Sequence, residues 1–457
     1  MKYRINIIVI VFLSLISCKE KEKESWLTSG KALAYFSRIE NACIRYKDLW
    51  GTNLYGPVMI IDRSNGKILA NLPDKEGLLK YKAGIYTGYY PKENLISEIP
   101  AYFGGTRFAV TPLPRTEDEF RIVSHSIHDL VLIHLDSSGI RGEPLRELAN
   151  PDMDEKEARI WLKLEWHALQ RAIESKGDLR KTAIRDALIF RGSNRELYPG
   201  NIDKENRFET YFGLATFTHI LASTNSDEDF RDRLFHNLDR IYNSQSYSFR
   251  FGYIRGALYA TLLYYNGFDF KTIRSAGFDL GKQVEKDYQI ELPQVCRDIA
   301  GSLSVNYDLD GINAEEDKRL KVIEENVKNE MKKFTEEPVV FLELESPYFD
   351  FESENVQTLD TLGILYTNVQ ISDNWGKLSV DKVGCLISNN FKFLRISARG
   401  IREKNGHIRG DGWDLILNND WEIARVNENF FLRQRMPLGD SYPVPIFQVQ
   451  TAALQEI

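Results

Sequence analysis

The run His125-Ser126-Ile127-His128-Asp129 places the most chemistry in the fewest residues of this 457-residue chain. On a helix, side chains four apart share a face. His125 and Asp129 would therefore point the same way, an imidazole and a carboxylate that are both zinc ligand types. His128 lies about 60° round the helix from His125, and His134 projects from the opposite side. Ser126 brings only a hydroxyl, whose pKa far above neutral prevents it from acting as a carboxylate base does. Ser124 and Ser126 beside two histidines also invite serine-hydrolase chemistry. That reading lacks a G-x-S-x-G turn and an acid placed to orient a histidine. Gly104-Gly105 has none of the rest of a phosphate loop. Beyond Cys18 only Cys43, Cys296 and Cys385 remain. They are too scattered for a disulfide framework and have no C-x-x-C spacing, so they read as small buried apolar residues.

The elements that must position these groups follow from apolar period. The spacing predicts a helix over about Lys31 to Lys47. A hairpin should follow, with Val58 to Asp62 and Lys67 to Ala70 joined through Asn65-Gly66, a pair suited to the positive φ of a tight turn. Gly84 to Gly88 and Arg107 to Thr111 are further strands. From about Thr116 to Phe334 the period becomes helical. Glu117 to Leu135 is the helix carrying the histidines. Trp161, Leu164, Ala168 and Ala172 form one face of the next, which starts near Asp154. Helices over Arg180–Leu197, Phe208–Ser223, Phe230–Ser244 and Ser248–Tyr265 follow. A last, charged helix carries Leu320, Ile323, Val327, Met331 and Phe334 and stops before Pro338. Beyond it strands return: Val339 to Leu344, Ile364 to Ile371, Gly376 to Val380, Phe391 to Ser397 and Trp413 to Leu417. The expected fold class is α+β: a mainly helical core over 116–337, an N-terminal β-containing lobe over 26–115 and a C-terminal β-rich domain over 338–457.

Residues 1–17 read as a lipoprotein signal peptide rather than as part of the fold. Lys2 and Arg4 precede an apolar run from Ile5 to Ile16, shorter than a membrane span. Leu15-Ile16-Ser17-Cys18 has lipobox order, which implies cleavage before Cys18 and lipid on its thiol. Residues 18–25, rich in alternating Lys and Glu, form a solvated tether. The expected location is the bacterial cell envelope, with the chain lipid-anchored to a membrane through Cys18, the outer membrane being the expected one. Net charge is −7, with 43% hydrophobic and 27% charged residues. That balance argues against disorder, and the absence of a basic stripe argues against a nucleic-acid partner.

Four stretches, taken in order and spacing, resemble a largely uncharacterised family of secreted bacterial zinc-dependent peptidases. They are Leu49-Trp-Gly-Thr-Asn-Leu-Tyr-Gly-Pro57 with Ile61-Asp62 and Ala70-Asn71, Arg159 to Leu169, Asp186-Ala-Leu-Ile-Phe-Arg191 with Leu197-Tyr-Pro199, and Asp373-Asn-Trp-Gly376 with Gly410-Asp-Gly-Trp413. Active-looking members carry H-E-x-x-H, which aligns on His125 to Asp129. They also carry N-E-G-L-A-E-Y, which aligns on Tyr211-Phe-Gly-Leu-Ala-Thr-Phe217.

The resemblance implies a zincin-like helical core whose chemistry has been altered. Ser126 stands at the general-base Glu, Asp129 at the second His ligand, Phe212 at the Glu ligand and Thr216 at a further Glu. Loss of a general base alone costs roughly 10²–10⁴ in rate. The implied protein is a pseudopeptidase with a binding or structural role, with no cofactor and a peptide or protein as partner besides the membrane. The competing expectation is an active or atypical zinc peptidase. Its ligands would be His125, Asp129 and Glu209, the last lying three residues before Phe212 and roughly on its helical face. Glu165 is expected in a helix salt bridge.

Overall fold

The computed structural model describes residues 26–91, 96, 99–114, 116–351, 356–359, 362–404 and 406–435. The signal peptide, Cys18 and the tether expected from the sequence lie outside the described residues. Helices and strands are both abundant, and the fold is α+β.

The chain opens with a helix over Ser29–Arg45, capped by the Thr28 hydroxyl. Six strands follow: β1 Val58–Ile61, β2 Lys67–Ala70, β3 Lys80–Lys82, β4 Ile85–Tyr89, β5 Ala101–Phe103 and β6 Thr106–Pro112. Their order is β3-β4-β2-β1-β6-β5. Among the described strands of this sheet, only β1 and β6 pair in parallel. Gly66 takes φ 73° in the β1–β2 turn, as the Asn-Gly pair predicted. Alternation splits the sheet between two cores. Val58, Ile60, Leu69, Ile85 and Ala109 face the helices and join their core. Met59, Ile61, Ile68, Ala70, Phe108 and Val110 face outward under Leu79 and Phe103.

The histidine-bearing helix spans Glu119–Ser137, with Asp118 as N-cap. Two further long helices pack beside each other, Lys156–Glu174 and Gly177–Leu197. The next helical stretch is not one regular helix. It runs as α-helix over Ile202–Phe208, widens into a π-turn over Glu209–Gly213 and resumes over Leu214–Ser223. The backbone is crowded at this turn. The helix Phe251–Tyr265 crosses so closely that a Cβ on Gly256 would lie 2.5 Å from the Glu209 carbonyl oxygen. A Cβ on Gly213 would lie 2.6 Å from Gly256 Cα. Only glycine permits such an approach.

After the Leu309–Thr335 helix, eleven strands among the described residues form one mixed, mainly antiparallel sheet. Its longest hairpin pairs Ile364–Asp373 with Gly376–Ile387, turning at the Asp373-Asn-Trp-Gly376 stretch. The sheet has a core of its own around Trp375, Trp413, Tyr366 and Leu342, which Leu145, Ala149 and Phe249 from the helical region adjoin. The three internal cysteines are buried and free.

Candidate functional site

The motif helix lies against β6, and two side chains fasten it there. β5 pairs with β6 only through Thr106 to Phe108. Beyond that point the Val110 N–H has no strand partner on that edge, and a buried N–H must find an acceptor. It donates to Asp129 Oδ2 at 3.0 Å. Ser126 Oγ donates to the Ile122 carbonyl at 2.9 Å and lies 2.8 Å from Thr111 Oγ1. Both Ser126 and Asp129 are fully buried. Positions 126 and 129 therefore join helix to sheet.

His125 and His128 stack on each other, and His128 reaches the helix that follows the π-turn. Their rings lie 6.3 Å apart and nearly parallel. His128 is the centre of a ring cluster, with His219 at 5.5 Å, Tyr253 at 6.3 Å and Phe212 at 6.4 Å. Phe212 is itself enclosed by Tyr211 and Tyr253, each at 5.0 Å, and by Phe208 at 5.5 Å. Burial pushes the His128 pKa down to about 4, and its Nδ1 stands 3.4 Å from Asp129 Oδ1. Burial, followed by the proximity of His128 and His125, holds His219 well below the usual histidine range. At neutral pH His128 and His219 are thus uncharged. His125 Nε2 is enclosed without a hydrogen-bond partner.

The ligand set His125, Asp129 and Glu209 is not assembled. Glu209 is fully buried, and its carboxylate takes Arg191 Nη1 and Nη2 at 3.0 and 2.8 Å. Arg255 Nε stands 3.5 Å from it. The π-turn is the reason. It widens the turn by roughly one residue, so Glu209 and Phe212 diverge where a regular helix would hold them on one face. Among the described residues no three His, Cys, Asp or Glu side chains form a group able to hold a metal ion. Thr216 donates to the Phe212 carbonyl at 2.8 Å.

Glu209 belongs instead to a buried ionic network. Arg255 donates to Glu165 at 2.9 Å and Glu205 at 3.2 Å, and Tyr259 donates to Glu165 at 2.7 Å. Arg195 links Glu205 and Asp279 at 3.1 and 2.5 Å. Glu165 is thus in a salt bridge, but one that crosses between helices rather than running along its own. Sequence reasoning missed His219, Tyr253 and this network. For His219 a signal existed: it follows Phe212 by seven residues, about two helical turns.

No family model, curated protein or solved structure matches this chain.

Proposed function

We propose that this protein is a membrane-anchored lipoprotein with a metallopeptidase-like, zincin-like scaffold, used for binding or structure and not for peptide hydrolysis. Its helical core over 116–337 lies between the N-terminal lobe and the C-terminal β-rich domain. The observation that carries the reading is the commitment of the altered positions to other partners. Ser126 and Asp129 tie the helix to β6, and Phe212 packs among aromatic rings. A catalytic zinc needs about three protein ligands and an open position for water. A buried phenyl ring at the expected Glu ligand position supplies no such ligand.

Purified mature protein should carry no stoichiometric zinc and cleave no peptide in a metal-dependent way. The triple variant Ser126→Glu, Asp129→His, Phe212→Glu should gain measurable zinc affinity, read by calorimetry. It should lose some stability, because the Val110 N–H loses its acceptor. One observation favours the competing reading of an atypical zinc peptidase, the enclosed and unpartnered Nε2 of His125. One tightly held zinc in the wild type, lost on His125→Ala, would establish that reading and end ours.

The anchor rests on the lipobox order Leu15 to Cys18. No helix among the described residues is long and apolar enough to cross a membrane. Cys18→Ser should release the protein from membranes or leave its precursor uncleaved. An intact mass without acyl groups in the wild type would remove the anchor from the proposal.

A further inference from the structure

The β3–β4 hairpin presents a surface that folding does not explain. Leu78 is 54% exposed, Tyr81 67% and Tyr89 73%. Tyr81 stands opposite Tyr86, with ring centroids 5.2 Å apart. Lys75, Lys80 and Lys82 are exposed in the same stretch, against one exposed acid, Glu76, and the buried carboxylate of Asp74, which the Leu78 and Leu79 N–H groups hold. This is a net basic segment in a chain of charge −7. β3 is the outer strand of its sheet. Lysines on such an edge are ordinary protection against strand pairing. Exposed tyrosines and a leucine beside them are not, since they add apolar surface where an edge needs less.

The position of the hairpin says what covers it. A Cβ on Gly84, in its turn, would lie 3.1 Å from Leu33 Cδ1. Leu33 is in the second turn of the helix that starts at Ser29, roughly 6 Å along its axis. The hairpin therefore stands beside the point where the chain enters the fold. The stretch from Cys18 to Trp26 can span at most roughly 25–30 Å. A lipid on Cys18 would hold this corner of the protein within reach of the bilayer.

From these observations we infer that the β3–β4 hairpin docks edge-on on the headgroup layer of an anionic membrane, its outer strand presenting Lys80 and Lys82 from one face to lipid phosphates and Tyr81 from the other to the interface, beside Leu78. Tyrosine suits that depth because one end of its ring is apolar and the other wet. Each lysine near an anionic surface contributes on the order of 1 kcal/mol. The inference rests on the anchored reading, which supplies proximity, but the hairpin's own affinity needs no lipid on the protein.

The test therefore uses the full mature chain with Cys18→Ser, unacylated, and two vesicle types: phosphatidylcholine alone, and phosphatidylcholine with a minority of phosphatidylglycerol. Co-sedimentation should show binding to the anionic vesicles that weakens with added salt, and little to the neutral ones. Lys80→Glu with Lys82→Glu should weaken it by at least about tenfold, and Tyr81→Ser should weaken it at unchanged fold by circular dichroism. Lys318→Glu with Lys321→Glu, an exposed pair on the last helix, should leave it within about twofold. Absence of binding to anionic vesicles, or equal loss in both lysine pairs, overturns the inference. Mass analysis of the wild type tests the anchor separately, so either reading can fail while the other stands.

Discussion

Arg255→Met should destabilise this protein by about 3–5 kcal/mol, the cost of removing one partner from a buried ion pair. Arg255 is fully buried and lies within 3.5 Å of Glu165, Glu205 and Glu209, which are as deeply buried. Methionine fits the space but leaves three carboxylates with fewer cations. Arg191 and Arg195 still reach Glu209 and Glu205. Glu165 keeps the Tyr259 hydroxyl and a longer Arg191 contact of 3.6 Å. Arg255→Lys should recover only part of the loss, because one ammonium cannot span the glutamates as a guanidinium fork does. Urea unfolding at neutral pH measures both. A loss below about 1 kcal/mol would mean that the network does not depend on this guanidinium.

Mild acid should unfold or loosen the same region through the histidine cluster. His128 titrates at about 4 in the fold, against 6.5 ordinarily, because burial opposes its charged form. Below pH 6.5 the unfolded chain takes up a proton that the folded chain refuses. Stability is then complete above pH 6.5 and falls as pH drops toward 4, by about 3 kcal/mol from this residue alone. His219 is shifted in the same direction, first by burial and then by its histidine neighbours, and adds to the fall. His128→Phe should flatten the pH dependence, since a phenyl ring keeps contact with Phe212 and Tyr253 and has no proton to gain. Urea midpoints for wild type and variant across that window decide the matter. Identical slopes in the two proteins would show that acid acts elsewhere, through the ion pairs.

Several parts of the fold were legible in the sequence because each depends on local rules. The Asn65-Gly66 turn and the strands beside it follow from φ preference and alternation, and the Glu119–Ser137 helix from apolar period and the Asp118 cap. The Gly376 hairpin belongs to the same class. The candidate site was legible only in part. That His125 and Asp129 share a helix, and that Phe212 stands on another, could be read from spacing.

Which groups meet was decided by packing. Asp129 turns to β6 because a short neighbouring strand leaves the Val110 N–H without a partner, and no local pattern encodes the length of β5 relative to β6. Glu209 sits in a π-turn that packs closely on the Phe251–Tyr265 helix, and its carboxylate meets Arg191, eighteen residues away. His128 became the centre of the cluster through contact with His219 and Tyr253, from two other helices. The sequence by itself determined most of the long helices, the tight hairpin turns and which polar residue types stand on the Glu119–Ser137 helix. Only the tertiary structure decided where the remaining polar groups point, because helical spacing predicts a direction only while 3.6 residues make a turn.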